Sequence, residues 1–445
     1  MSWIILLVLI VVLLALRQSL VLVFAVVAGY IHVFIANSKL EFLIQDFWFT
    51  VDREVLLSIP LFILAGNVMS RGTIAQRLIG FMTTITSPIP GGMGIACILS
   101  CAAFAAINGS SIVTMLAIGS VMYPAMIARG YSKTFALGAV ASAGTLGIII
   151  PPSIPLILYG IMTEENIAHL FVAGIGPGLL LTFMFASYSF VVNRKIGRES
   201  YTLKQAWDSF TNGIFALLLP VIIIGGIYSG YFSPTESAAV ALAYALFIEF
   251  FVHKREKQPE RPADTGGLAG VRYFFATRAM NGKELIDTVL ETTRLLATLL
   301  PLLCIAGSLN TILDHSGAPK QMVEYMVSAI DNRWMLMFMI NVLLLIVGCL
   351  MDAGSAILIL APLLEPLASA KGFDPIHFGI IMIANLEIGY LTPPVGLNLI
   401  VAMAAFKESF AVICKAVIPF IIIMLVWLVI VATVPALSLY LVGGK

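Results

Sequence analysis

Charge is what this chain has least of. Only 11% of its 445 residues are Asp, Glu, Lys or Arg, and 60% are hydrophobic, where a soluble domain carries about a quarter charged residues. Water is therefore not its main solvent, and a soluble globular enzyme is excluded. The net charge of +1 says nothing about acidic partners, although the distribution of the basic residues is informative; no nucleic-acid partner is expected. Cysteine is scarce: Cys97, Cys101, Cys304, Cys349 and Cys414 lie inside apolar tracts without metal-type spacing. They read as packing residues, with no disulfide framework. The five histidines are scattered near tract ends without pairing, which leaves no metal centre. Catalytic groupings are lacking too. Ser110 has no histidine in a plausible motif and Asp352 has no aspartate partner at depth, so an intramembrane protease or lipid transferase is not supported. No catalytic residue and no organic cofactor are expected.

Apolar sequence is abundant. Long tracts recur from Trp3 to Ala36 through Gly91 to Met126, Leu170 to Val192, Trp334 to Leu364 and Val412 to Leu441. A spanning helix takes about 20 mostly apolar residues, which predicts ten or eleven crossings of a lipid bilayer in an all-α polytopic fold. The first tract lacks a basic n-region and runs on past Arg17, so it reads as membrane structure and not as a cleavable signal.

Basic residues gather in two loops, Arg194 to Lys204 and Lys254 to Lys283, separated by two apolar tracts. The positive-inside rule makes both cytoplasmic. Carried along the chain, that places Arg17, Arg71, Arg77, Arg129, Lys133, Lys407 and Lys415 inside and Lys39, Arg53, Lys320, Arg333, Lys371 and Lys445 outside. The polar stretch with Pro259, Pro262, Gly266 and Gly267 is a linker between two halves.

The halves resemble each other. A slide of 242 residues brings Gly130 onto Gly372, Gly147 onto Gly389, and Pro151-Pro152 onto Pro393-Pro394; at 241, Pro60-Leu61 meets Pro301-Leu302 and Ala65-Gly66 meets Ala306-Gly307. With three more residues, Gly109-Ser110 meets Gly354-Ser355. The crossings between Pro60 and Pro301 are odd in number, so the repeats are inverted, an arrangement that puts sites where interrupted helices meet at mid-membrane. Residues 1–55 are then N-terminal scaffold helices, 56–170 the first repeat and 171–252 further scaffold. Residues 253–285 form the cytoplasmic linker, 286–410 the second repeat and 411–445 a C-terminal helix.

Each repeat carries two interruptions. A proline pair removes two amides and pushes the preceding residue out of helical geometry, so one helix should stop near Gly147 and restart at Pro151, and another should break at Gly389 to Gly396. Asn108-Gly109-Ser110-Ser111 and Asp352-Ala353-Gly354-Ser355, each between apolar arms of about 15 residues by sequence, which is short for a span, read as tips of re-entrant hairpins. Irregular backbone at such depth must be buried or line a wet cavity. Its carbonyls, with the hydroxyls of Ser110, Ser111, Thr145, Ser355 and Thr392, suit a hard cation such as sodium. Candidate sodium positions are Asn108, Gly109, Ser110, Ser111, Thr145, Gly147, Asp352, Gly354, Ser355, Gly389 and Thr392. Helix N-termini suit an anion, so Pro151, Pro152, Ser153, Pro393, Pro394, Val395, Gly396 and Asn398 are candidates for substrate. Asp352 and Glu387 are intramembrane carboxylates and so site candidates; Glu387 stands opposite Thr145 in the repeat, and a one-sided role and a structural ion pair both remain open for it. Glu236, after Ser233-Pro234-Thr235, reads as a helix start.

Four segments resemble the large membrane subunit of tripartite ATP-independent periplasmic (TRAP) transporters: Ser58-Ile-Pro-Leu-Phe-Ile-Leu-Ala-Gly-Asn67, Ile150-Pro-Pro-Ser-Ile154, Gly226-Ile-Tyr-Ser-Gly-Tyr-Phe-Ser-Pro-Thr-Glu236 and Asn385-Leu-Glu-Ile-Gly-Tyr-Leu-Thr-Pro-Pro-Val-Gly-Leu-Asn-Leu399. The resemblance implies an elevator carrier in the bacterial inner membrane that imports an organic anion with sodium as coupling ion. It also implies two partners, a small membrane subunit of about four helices and a periplasmic substrate-binding protein. Sialic acid, four-carbon dicarboxylates, keto acids and sulfonates all occur as substrates in that family. The alternative is a lone carrier, sodium- or proton-coupled, without a binding protein.

Overall fold

The computed structural model describes residues 2–16, 18–35, 38–198, 202–253, 277, 280–316, 323–326, 328 and 330–443. Linker residues 254–276 and the charged positions Arg17, Lys254, Arg255, Lys257, Arg261, Arg272, Arg278, Lys320 and Lys445 lie outside them. Among the described residues every regular element is a helix, and ten segments are long and apolar enough to cross a membrane. Outward faces carry bare apolar side chains, such as Phe183, Val221, Phe338, Ile346, Ile422 and Val429, as a lipid-facing surface requires.

Helices α1 (Ser2–Ala15), α2 (Leu20–Tyr30) and α3 (Leu40–Val51) precede α4 (Ser58–Arg71) and the amphipathic α5 (Ile74–Thr86). The first hairpin is α6 (Gly92–Asn108) and α7 (Ser111–Ala128). The first broken helix follows as α8 (Lys133–Gly144), the single turn α9 (Leu146–Ile149) and α10 (Ile154–Thr163). Then come α11 (Ile167–Asn193), α12 (Leu203–Tyr228), α13 (Pro234–Phe247) and, past the linker, α14 (Gly282–Ser316). The second hairpin is α15 (Arg333–Leu350) and α16 (Ala353–Ala370), and the second broken helix is α17 (Pro375–Tyr390) and α18 (Leu397–Phe406). Helices α19 (Phe410–Thr433) and α20 (Ala436–Leu439) close the chain.

Local chemistry sets these boundaries. Gly109, with φ 64°, turns the chain out of α6, and Ser110 caps α7. Asp352 caps α16 by accepting the Ser355 amide at 2.8 Å. Ser233 and Glu236 form the expected reciprocal cap, with bonds of 3.2 and 2.8 Å. The hairpin arms are 17 and 18 residues in the first half and 18 and 18 in the second, longer than the sequence suggested. Length alone would let several of them span; burial of the tips decides. Asn108, Ser111, Ala353 and Ser355 are each at most 3% exposed, so the chain turns back inside the protein.

One expected boundary moves. The restart after the first proline pair is at Ile154 and not at Pro151, because Ile150 to Ser153 form no helix and the Ser153 hydroxyl, as N-cap, accepts the Leu156 amide at 3.3 Å. The second break similarly runs to Gly396, where a φ of 54° opens α18. Both proline–proline bonds are cis.

The helices pack as two sets that share one core and meet where α4 and α5 lie on α6. Helix α4 lies on α13 and α14, α5 on α12, and α14 on α2 and α3. The hairpins and broken helices form the other group: α7 and α19 flank α8, α15 and α16 pack on α17, and α10 packs on α16. Within 171–252 the chain divides between the groups, since α11 packs on α6 whereas α12 and α13 pack on α5 and α4.

Candidate functional site

Each hairpin tip is seated on the helix break of its own half. In the first half Asn108 builds the tip: its Oδ1 accepts the Ser110 amide at 2.7 Å, and its Nδ2 donates to the Phe104 carbonyl at 2.8 Å. The tip backbone then meets the break backbone. A methyl group on Gly147 would stand 2.5 Å from the Ser110 carbonyl oxygen, and one on Gly109 would stand 2.7 Å from that of Pro152. The hydroxyls of the break are partly used. Thr145 donates to the Ser142 carbonyl at 2.5 Å and Ser153 to the Ile148 carbonyl at 2.5 Å, leaving oxygen lone pairs free.

The second half repeats the device with other partners. Gly389 abuts the backbone of Gly348 so closely that a methyl would lie 2.4 Å from its carbonyl carbon, and the Gly396 amide donates to the Cys349 carbonyl at 3.2 Å. The Thr392 hydroxyl donates to the Ile388 carbonyl at 2.8 Å. Asp352 spends both carboxylate oxygens on Ser355, accepting its amide at 2.8 Å and its hydroxyl at 2.6 Å. The Ala353 amide donates to the Tyr390 hydroxyl at 2.6 Å. Burial differs between the breaks: Pro151, Pro152 and Ser153 are buried, whereas Pro393, Pro394 and Val395 are exposed.

Two of the contacts between the halves involve residues of the breaks and tips. Asn398 donates to the Ser111 hydroxyl at 2.6 Å, with both residues buried. Glu387, fully buried, has the Thr145 hydroxyl beside it, a hydroxyl that donates to the Ser142 carbonyl.

Both tips open onto one cavity of about 450 Å³. Gly109, Ser110, Ser111, Asp352, Gly354 and Ser355 line it; Leu295, Thr298, Leu299 and Leu302 of α14 close one side, and Ser19 and Val21 stand at the start of α2. Of the residues expected to bind substrate, Pro151, Pro152, Ser153, Pro393, Pro394, Val395, Gly396 and Asn398 stand behind the tips and do not line it. Sequence reasoning missed Tyr390 and Ile148, which face the cavity from the second and first half. The slide of 242 residues that pairs the breaks also pairs these two positions, but it does not mark them as facing a cavity.

The profile of the DctM component of the tripartite ATP-independent periplasmic transporters matches residues 7–437. The chain belongs to that family. Its relatives include the C4-dicarboxylate TRAP transporter large permease protein of Rhodobacter capsulatus, 37% identical over 408 residues that cover 88% of this chain and 87% of that one. The corresponding Pseudomonas aeruginosa protein is 39% identical over 398 residues, with 88% and 87% covered. The crystal structure of the Alcanivorax borkumensis YdaH transporter shares the fold, with a TM-score of 0.61 at 13% identity over 90% of this chain and 88% of that one. This TRAP large permease is thus a multi-pass protein of the bacterial inner membrane, and its family makes transport subunits.

Proposed function

We propose that this TRAP large permease imports a small organic anion, a carboxylate or a similar acid, coupled to sodium. It works with a small four-helix membrane subunit and a periplasmic substrate-binding protein. One observation carries the reading: the first hairpin tip is packed on the break of its own half, the last turn of α15 and the Ala353 amide on the second break and Tyr390, and both tips face a single cavity. The donor sets at the tip–break contacts are hard oxygens, which suit sodium. Asn108, Gly109, Ser110, Ser111, Thr145 and Gly147 would hold it in the first half, and Asp352, Gly354, Ser355, Gly389 and Thr392 in the second. Bound there, sodium supplies the positive charge that the cavity wall lacks among its described residues, so ion and anion favour each other's binding reciprocally. The names of the relatives support the acid substrate.

The protein's own residues perform the movement. The tips, the breaks and the helices on them form one packing group, and the apolar side of α14 with Leu295, Leu299 and Leu302 forms the wall along which the cavity slides as an elevator. In this conformation the cavity lies beside the start of α2, on the face that the positive-inside rule makes cytoplasmic. The test is reconstitution of this chain with and without the two partners in proteoliposomes, using a panel of C4-dicarboxylates, sialic acid and isethionate under an imposed sodium gradient. Uptake of at least one acid that needs sodium and both partners is expected. Uptake by this chain alone would establish the lone carrier instead, and uptake driven only by a pH gradient would remove the sodium coupling.

A further inference from the structure

No lysine or arginine lines the cavity among the described residues, and its one carboxylate, Asp352, is turned onto Ser355 through both oxygens, so the groups that can donate to an anion there are neutral. Its polar wall is made of the two tips, the hydroxyls of Ser19 and Thr298, and one phenol, Tyr390, which is buried to 7% exposure. The phenol oxygen accepts the Ala353 amide at 2.6 Å. That bond uses a lone pair and leaves the O–H hydrogen unspent, and among the described residues the hydroxyl donates to no acceptor. Holding a tip does not by itself call for a hydroxyl from elsewhere, since the first tip is held by its own Asn108 accepting the Ser110 amide at 2.7 Å. Nor does the repeat impose one, because the equivalent position in the first half is Ile148, which lines the same cavity.

We infer that Tyr390 is a substrate-contacting residue: its O–H donates to an oxygen of the bound acid while its oxygen anchors the second hairpin tip. The cavity is then two-sided, with apolar Ile148, Ile154 and Leu158 receiving the carbon skeleton and Tyr390 with Ser110 and Ser111 receiving the acid group, the Ser355 hydroxyl being spent on Asp352. This rests on the carrier reading above. A phenol is both a donor and an acceptor, and fluorinating its ring strengthens the first property while weakening the second, so the two roles can be separated.

The complete transporter with both partners is assayed in proteoliposomes at saturating sodium, using the acid from the panel that the unmodified protein carries best. Tyr390→Phe should raise KM roughly tenfold or more, as loss of a hydrogen bond to a charged group does, with the sodium concentration for half-maximal uptake within about twofold of normal, since loss of tip geometry is the competing cause. Replacing Tyr390 by 3-fluorotyrosine, at pH 6 to keep the phenol protonated, should lower KM. A raised KM for the fluorinated protein, or a sodium dependence that shifts in step with KM in the phenylalanine variant, would mean that Tyr390 only anchors the tip and would overturn the inference. An unchanged KM in both variants would overturn it as well. Absence of uptake of every acid by the unmodified complex would instead remove the carrier reading, and this inference with it.

Discussion

Gly147→Ala probes the contact on which the proposed first-half sodium site depends. The added methyl would lie 2.5 Å from the Ser110 carbonyl oxygen and 2.8 Å from the Thr114 hydroxyl oxygen, where ordinary contact begins at 3.4 Å. The first obstacle is backbone, so the hairpin tip must retreat from the break by about 0.9 Å. Gly147 sits inside α9 with helical geometry, and alanine is the better helix former by up to about 1 kcal/mol. The backbone therefore adds no penalty of its own, and the effect reports the tip–break distance. Overpacking of this kind costs about 1–3 kcal/mol, which, drawn from ion binding, weakens sodium affinity about 5- to 150-fold. The assay is the sodium dependence of uptake by the reconstituted complex. Gly80→Ala, where a methyl enters open space, is the control. A Gly147→Ala protein with the control's sodium dependence would show that the contact is no part of a sodium site.

Other perturbations follow from the same geometry. Ser110→Ala and Ser355→Ala should each raise the sodium requirement by the equivalent of about 1–3 kcal/mol; unchanged sodium affinity in both would mean that carbonyls alone hold the ion. Replacing Pro151-Pro152 or Pro393-Pro394 by Ala-Ala restores two amides to the break and lets the helical ladder close. Folded protein with transport abolished is expected for each, and normal transport by either would reduce that break to a kink. Arg53 donates to the Ile161 carbonyl at the end of α10 at 2.9 Å and lies 3.8 Å from Glu164, tying the loop after α3 to the group proposed to move. Arg53→Ala should release the conformation seen here, lowering the labelling of a cysteine placed at Ser19 by an impermeant reagent on that face; equal labelling would show that the tie restrains nothing.

Much of this architecture is legible in the sequence because its breaks are made by residues that cannot continue a helix. Proline pairs recur at an offset of 242 residues and Gly-Ser tips at 245, and that recurrence located both hairpins and both broken helices. The Ser233 to Glu236 cap was equally plain, since a reciprocal cap is a local event. What stayed hidden depends on partners far along the chain. The restart at Ile154 is set by the Ser153 cap, which outcompetes proline as the first helical residue. The two breaks are alike in sequence yet Pro151 is buried and Pro393 exposed, because each packs on different neighbours. The cavity wall was the least visible part. Leucines such as Leu295 and Leu299 are apolar whether they face lipid or a cavity, and Tyr390 is singled out only when α17 is seen to end beside the second tip.

Acid import is proposed to be coupled to sodium through the two tip–break contacts. That coupling is tested most directly by following ²²Na⁺ entry into proteoliposomes that hold the complete transporter when substrate-loaded binding protein is added. Sodium entering in step with the acid, and the loss of both fluxes in the Pro151-Pro152 and Pro393-Pro394 alanine variants, is the predicted result. Acid that accumulates with no sodium entry, accompanied by proton movement instead, would contradict it.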